Sequence, residues 1–224
     1  MRQLCHFAVV TLLSVAALAT PAGAAQGGLV TATANDGWTI LIATRNALAQ
    51  APQELLFEQS FVPAGFSSGD LETGVVSFDL PDCLRWDYHL PDPRSYLLCD
   101  HTAMLWNEGE DSGRRLQLDD GRSGAFDLWL APMDDLRRRY QAVRVDINAE
   151  YSAVRITPSD RFLAEDVGFA VAEITIDQRT GLPSRFEYRD QEGSQTAFEF
   201  AASKLLSADD PRFTPPSIEW VEDD

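Results

Sequence analysis

Residues 83–92 read Cys83-Leu84-Arg85-Trp86-Asp87-Tyr88-His89-Leu90-Pro91-Asp92. Leu84, Trp86, Tyr88 and Leu90 alternate with Arg85, Asp87 and His89, the period of two that sends successive side chains to opposite faces of a strand. Pro91-Asp92-Pro93 is a turn signal, and Ser95 to Asp100 runs back. The stretch predicts an antiparallel hairpin with one apolar face.

The same period extends outward in both directions. Upstream, Leu55, Phe57 and Phe61 alternate with Leu56, Glu58 and Ser60, and Val76, Phe78 and Leu80 alternate with Ser77 and Asp79. Downstream, strands are expected at Ala103–Asn107, Arg114–Leu118, Val143–Ala149, Ala153–Thr157, Val171–Asp177, Arg185–Arg189 and Thr196–Ala202. Thr180-Gly181-Leu182-Pro183 and Glu192-Gly193 supply turns between the last of these. About eleven strands result.

Two segments break the pattern. Asn35 and Asp36 are helix N-cap residues, and Trp38, Leu41, Ile42, Leu48 and Ala49 recur at helical spacing, so an amphipathic helix is expected to end near Pro52. Between Gly124 and Tyr140, Phe126, Leu128, Trp129 and Leu130 precede Asp134-Asp135-Leu136-Arg137-Arg138-Arg139-Tyr140, which reads as a short apolar helix followed by a polar one. The fold class is α+β, mainly β: an antiparallel barrel-like sheet with helices packed on it.

The N-terminus has Arg2, an apolar run from Phe7 to Ala19, Pro21 and the small-residue pattern Ala22-Gly23-Ala24, the form of a secretory signal peptide cut after Ala24. Residues 25–224 are then expected to form one domain. The run is shorter than the ~20 residues that cross a bilayer, and no cysteine stands at the cut to take a lipid anchor. The chain of 224 residues carries 18 Lys plus Arg against 35 Asp plus Glu, a formal charge of −17. That sign disfavours nucleic acid and anionic membrane surfaces as partners.

Cys83 and Cys99 remain once Cys5 leaves with the signal. With His89 and His101 they hold odd positions, and so share one face of the hairpin if it pairs residues whose numbers sum to an even value. A disulfide needs their Cα atoms within ~7 Å. A zinc site and a pair of free thiols are the other readings, although the spacing is that of no zinc finger.

Gly65-Phe66-Ser67-Ser68-Gly69 matches the G-x-S-x-G of a hydrolase nucleophile elbow, but that device needs a strand before it and a helix after it. Leu71–Leu80 reads as strand, so a hairpin turn is expected. No phosphate loop or H-E-x-x-H helix occurs. The sequence therefore offers no catalytic residues, no metal site and no cofactor.

Phe78-Asp79-Leu80-Pro81-Asp82-Cys83-Leu84-Arg85-Trp86 through Pro91-Asp92, then Leu97-Leu98-Cys99-Asp100-His101 and Met104-Leu105-Trp106, preceded by Phe57-Glu58-Gln59, form an ordered set of motifs. Ile176-Asp177-Gln178-Arg179-Thr180-Gly181-Leu182-Pro183, Tyr188–Gly193 and Phe213-Thr214-Pro215-Pro216 continue it. In this order they resemble the outer-membrane lipoprotein carrier family (LolA-like), over roughly residues 54–118 and 174–221. The resemblance implies an unclosed β-barrel in the periplasm whose apolar face binds lipoprotein acyl chains. By that resemblance Phe57, Phe78, Leu84, Trp86, Tyr88 and Trp106 line the lipid cavity, and Phe126, Leu128 and Trp129 form a lid.

The partners it implies are acylated lipoproteins, an inner-membrane ABC-type exporter and an outer-membrane acceptor, with the carrier a monomer. Two departures stand out. His101 replaces the family's glycine, and Leu80 precedes Pro81 where the family has a basic residue that hydrogen-bonds the lid. Arg85 and Arg122 are the candidate substitutes. A binder of another hydrophobic cargo and a regulatory sensor domain are the rival readings.

Overall fold

Alternating burial follows the alternating sequence. In Cys83–Leu90, Leu84, Trp86 and Tyr88 are buried while the residues between them are only partly covered. The computed structural model describes residues 34–118, 124–159 and 168–223. All of them belong to the unit Ala32–Asp224, so the signal segment and its cut lie outside the described residues.

A helix, α1 (Ala34–Leu48), opens the described chain. Then come β1 (Gln53–Val62), β2 (Asp70–Asp79), β3 (Cys83–Leu90), β4 (Arg94–Cys99), β5 (Thr102–Asn107) and β6 (Ser112–Gln117). After a 3₁₀ turn at Gly124–Phe126 and the short helices α2 (Asp127–Leu130) and α3 (Met133–Arg139), the sheet resumes. Its remaining strands are β7 (Tyr140–Asp146), β8 (Tyr151–Pro158), β9 (Val171–Asp177), β10 (Pro183–Arg189), β11 (Gln195–Leu205) and β12 (Glu219–Asp223). Asn35 and Asp36 fall within the first turn of α1 rather than ahead of it.

Among the described residues, twelve strands form one sheet in the order β12-β6-β5-β4-β3-β2-β1-β11-β10-β9-β8-β7, so the barrel is not closed. The strand beyond the expected eleven is β12, which pairs with β6 in parallel, so the sheet is antiparallel except at this edge. Glu219-Trp220-Val221-Glu222-Asp223 sets its two apolar residues side by side, so no period of two signals a strand there. Tyr140, expected at the end of the polar helix, is instead the buried first residue of β7, its ring stacked on Phe169 5.6 Å away.

This order bears on the residues expected to form a lid. β7 is at one edge and β6 is next to the other, so the segment joining them connects opposite ends of the sheet. Of the residues between β6 and β7, the described part, 124–139, sends Ala125, Leu128, Trp129 and Leu136 into the apolar core of the inner face, with Leu55, Phe57, Val76, Phe78, Leu84, Trp86, Phe186, Phe198, Ile174 and Val154 among others.

Two local devices fix α1. Gly37 passes so close to β7 that a Cβ there would sit 2.5 Å from the Ala142 carbonyl carbon. Gln53, buried at the start of β1, donates its Nε2 to the carbonyls of Ala47 (3.1 Å) and Leu48 (3.0 Å), satisfying acceptors that a helix C-terminus leaves open.

The β3–β4 register sets Cys83 opposite Cys99, and the two are joined by a disulfide with Cα atoms 4.5 Å apart. Both thiols are thereby used, which excludes the zinc and free-thiol readings for this structure. Closing a loop of this length removes about 3 kcal/mol of unfolded-chain entropy, and such bonds persist in oxidising compartments.

Beyond the disulfide, Asp100 (φ 49°) and His101 (φ 61°) join β4 to β5. Two successive left-handed residues are the signature of a type I′ hairpin turn, which favours Asn-Gly or Asp-Gly. His101→Gly is expected to stabilise the protein by about 0.5–1 kcal/mol, because relief of left-handed strain outweighs the added freedom of the unfolded chain. Denaturant unfolding measures this, and a lower midpoint would refute it.

Candidate functional site: an aromatic inner face under a lid

Strand alternation gathers Phe57 of β1, Phe78 of β2 and Leu84, Trp86 and Tyr88 of β3 on the inner face, in one cluster with Leu128 and Trp129 of α2. Five of the six residues expected to line a cavity are thus together. Trp106 is not among them. It pairs across the sheet with Ser95, which pairs with Asp87, and so lies on the outer face. There its ring meets Trp220 at 6.0 Å and Arg85 at 5.0 Å. One position separates the two registers: Leu105, not Trp106, aligns with Tyr96 and Trp86.

Aromatic rings dominate the inner face. Trp86 packs 5.0 Å from Phe57, 4.8 Å from Phe198 and 6.4 Å from Phe200. Phe186, Phe198 and Phe200 stack in sequence, their planes within 10° and 5° of parallel. The lid completes the arrangement: Phe126 lies 5.5 Å from Trp86, while Trp129 sits between Phe78 (5.8 Å) and Phe186 (5.9 Å). Leu128 and Trp129 are both 0% exposed. The face expected to hold acyl chains is thus covered, in this structure, by the residues expected to form the lid. Burying one tryptophan ring of about 150–250 Å² stabilises the closed arrangement by about 4–6 kcal/mol.

One end of the inner face is polar. The Tyr88 hydroxyl donates to Gln59 Oε1 at 2.6 Å, Gln59 Nε2 donates to Glu72 at 3.3 Å, and Arg94 grips both Glu72 oxygens at 2.7 and 2.9 Å. The Arg94 guanidinium also lies 4.1 Å above the Tyr88 ring. Burial pushes the Tyr88 hydroxyl far above the ordinary phenol range, and the hydrogen bond to Glu72 raises Arg94 in turn. Tyr88 and Arg94 therefore both hold their charge state at neutral pH.

The segment expected to form the lid is held by a residue that the sequence reading missed. Arg45 of α1 donates Nη1 to the Ala131 carbonyl at 2.8 Å and to Met133 Sδ at 3.1 Å, pinning the joint between α2 and α3. Burial lowers its pKa, yet a guanidinium stays charged. Its signal was available: Trp38, Leu41, Arg45 and Leu48 follow one another at i+3 and i+4 spacing, placing one cation in an apolar stripe.

Arg85, a candidate for this role, lies on the outer face. It binds both Asp87 oxygens at 2.8 Å and donates to the Arg212 carbonyl at 2.6 Å, tying down the C-terminal tail. Arg122 lies outside the described residues. At the family's latch position, Leu80 is 9% exposed and joins the apolar cluster.

Arg45→Met keeps the stem but leaves the Ala131 carbonyl without its charged donor, which costs about 1.5–3 kcal/mol. The lid should open about tenfold or more as often. Amide exchange across residues 126–136 reads this directly, and unchanged protection there would show that Arg45 is not the latch.

On the outer face, a cleft of about 810 Å³ runs between β3–β5 and the C-terminal tail, lined by Arg85, Asp87, Ser95, Trp106, Arg212 and Ile218 among others. Several of its charges are paired, Arg212 bonding Asp210 at 2.8 Å, Ser77 at 3.1 Å and also Glu54. Gly65–Gly69 lies in the exposed connection between β1 and β2. The G-x-S-x-G motif thus sits between two strands, without the helix a nucleophile elbow requires. No group of three metal-ligating side chains occurs among the described residues, nor is any described helix long and apolar enough to cross a membrane.

Comparison with solved structures finds similar chains. One is an uncharacterized conserved protein from Thermus thermophilus: TM-score 0.52, 13% identity, 84% of this chain and 99% of that one. The two share a fold. The chain is also similar to a LolA superfamily protein from Nitrosomonas europaea at TM-score 0.45 and 14% identity, covering 80% of this chain and 97% of that one. A chain of the Pseudomonas aeruginosa MucA/MucB complex matches at TM-score 0.47 and 15% identity, over 81% of this chain and 62% of that one. No family model and no curated protein matches the sequence.

Proposed function

We propose that this protein is a periplasmic carrier of acylated lipoproteins, taking their acyl chains against the inner face when the lid lifts. Supporting this reading is one observation above the rest: a continuous aromatic surface is covered by a short segment whose joint is held by a single arginine side chain from another element. Withdrawing a C16 chain from a membrane costs on the order of 10 kcal/mol. A carrier must offset most of that with a dry apolar surface. Such a surface left bare is adhesive, so it needs a cover that yields to cargo. Closed and open lids are then two states that the ligand biases.

In this reading residues 1–24 are the secretory signal and 25–224 the working domain, a monomer. An inner-membrane ABC-type exporter loads the carrier and an outer-membrane acceptor unloads it. The role is binding rather than catalysis, in keeping with the placement of Ser67 in a hairpin connection. The ordered motifs of the sequence supply the choice of lipoprotein as cargo.

Native mass spectrometry of the protein purified gently from a periplasmic extract tests the proposal. A triacylated polypeptide bound one to one is the expected result. A free lipid alone would replace the cargo, and a protein partner with no lipid would favour the sensor reading.

A further inference from the structure

Two polar atoms in the inner core lack partners. The indole nitrogens of Trp86 and Trp129 are buried, and neither donates a hydrogen bond among the described residues. Their residues are 1% and 0% exposed. The rings around them belong to Phe57, Phe126, Phe198 and Phe200 for Trp86 and to Phe78 and Phe186 for Trp129, none of which offers a conventional acceptor. Buried indole N–H groups usually find an acceptor, and each one left without is a specific penalty on the state that buries it.

Their placement gives the penalty a direction. One donor belongs to the wall, on β3, and the other to the lid, on α2. Both are enclosed when the lid is down. A purely hydrocarbon surface would be better served by phenylalanine at either position, since the same area would be buried with no donor to satisfy. Elsewhere in this core, buried polar side chains do have partners: Gln53 donates to the end of α1, Tyr88 to Gln59, and Ser77 accepts from Arg212. Among the described residues, these two indole nitrogens are the buried side-chain polar atoms without a partner.

We propose that Trp86 and Trp129 recognise the carbonyl oxygen at the head of an acyl chain, so that the inner face distinguishes acyl groups from alkyl chains of equal length. This rests on the carrier reading and names the chemistry it selects. A cargo joined through esters or amides brings acceptors into the core along with its methylenes. Closing over such a cargo satisfies donors that closing over an empty face leaves orphaned. An alkyl chain gives the same apolar contact and leaves them unpaired, so selectivity arises from the unmet need of the closed site.

Two soluble probes differing by one carbonyl test this: 1-hexadecanoyl-lysophosphatidylcholine, an ester, and 1-hexadecyl-lysophosphatidylcholine, its ether. Binding of each to the full processed protein is measured below the critical micelle concentration. The expected result is about tenfold tighter binding of the ester, with the ester-to-ether ratio falling toward one in Trp86→Phe/Trp129→Phe. The ratio is the readout, whatever happens to overall affinity. If the double variant folds poorly, β-(3-benzothienyl)alanine at position 86, which replaces N–H by sulfur at nearly constant shape, takes its place. In ¹⁵N-tryptophan-labelled protein, the ester and not the ether should shift the Trp86 or Trp129 indole resonance downfield. Equal binding of the two probes by the unsubstituted protein, or a ratio that survives removal of both donors, overturns the inference while leaving an apolar carrier intact. Binding of neither probe overturns the carrier reading as well.

Discussion

Trp129→Ala is expected to lift the lid while leaving the sheet standing. The ring is fully buried between Phe78 and Phe186, and removing so large a buried side chain costs about 3–5 kcal/mol. That loss falls on the contact between lid and sheet, because Trp129 belongs to α2 while every strand keeps its ladder. An opening free energy lowered by about 3 kcal/mol makes the open state more than a hundredfold commoner. Binding of a hydrophobic dye should rise sharply, with the far-ultraviolet circular dichroism of the sheet unchanged. Dye binding equal to that of the unsubstituted protein would mean that the lid does not depend on this anchor.

Trp86→Asp is expected to do more damage, and of another kind. Trp86 meets one lid ring, Phe126, but three rings of the sheet itself, Phe57, Phe198 and Phe200. Raising the lid hydrates the new carboxylate yet restores none of the contacts within the sheet. Lost packing of about 3–5 kcal/mol is compounded by a buried charge without a partner. A fall in Tm of about 10–20 °C should follow, together with loss of acyl-chain binding. A variant that binds nothing but melts at the original temperature would show that Trp86 lines an unfilled space rather than a packed one.

The contrast between these residues also shows what the sequence made legible. Alternation in 83–90 identified the hairpin and its buried face, because a strand with one wet side has to alternate. It placed Trp86 and Tyr88 correctly. Trp106 went to the wrong face because family likeness aligned the motif Leu105-Trp106 without settling its register, and one residue of slip exchanges the faces. The disulfide was one of three readings until the register brought its cysteines opposite one another. Arg45 was hidden for a different reason. Its partner is a backbone carbonyl 86 positions away, and side-chain patterns carry no information about which carbonyl a folded chain leaves open. β12 escaped because it is held by a parallel ladder to β6, a pairing between distant segments that no local signal announces.

The place of β1 in the sheet bears on how the molecule comes to exist. β2 to β6 and β7 to β11 are two meanders, each assembled from neighbours in the chain, whereas β1 pairs with both β2 and β11, with Gln53 opposite Leu205. Joining the meanders through β1 and β11 closes a loop of about 150 residues, an entropic step that local hairpins avoid. The seam therefore forms late, and it cannot form before β11 has been made. A nascent chain lacking its last few dozen residues has the first meander and only part of the second, and neither the seam nor the full inner face. The arrangement delays completion of the inner face until nearly the whole polypeptide is available.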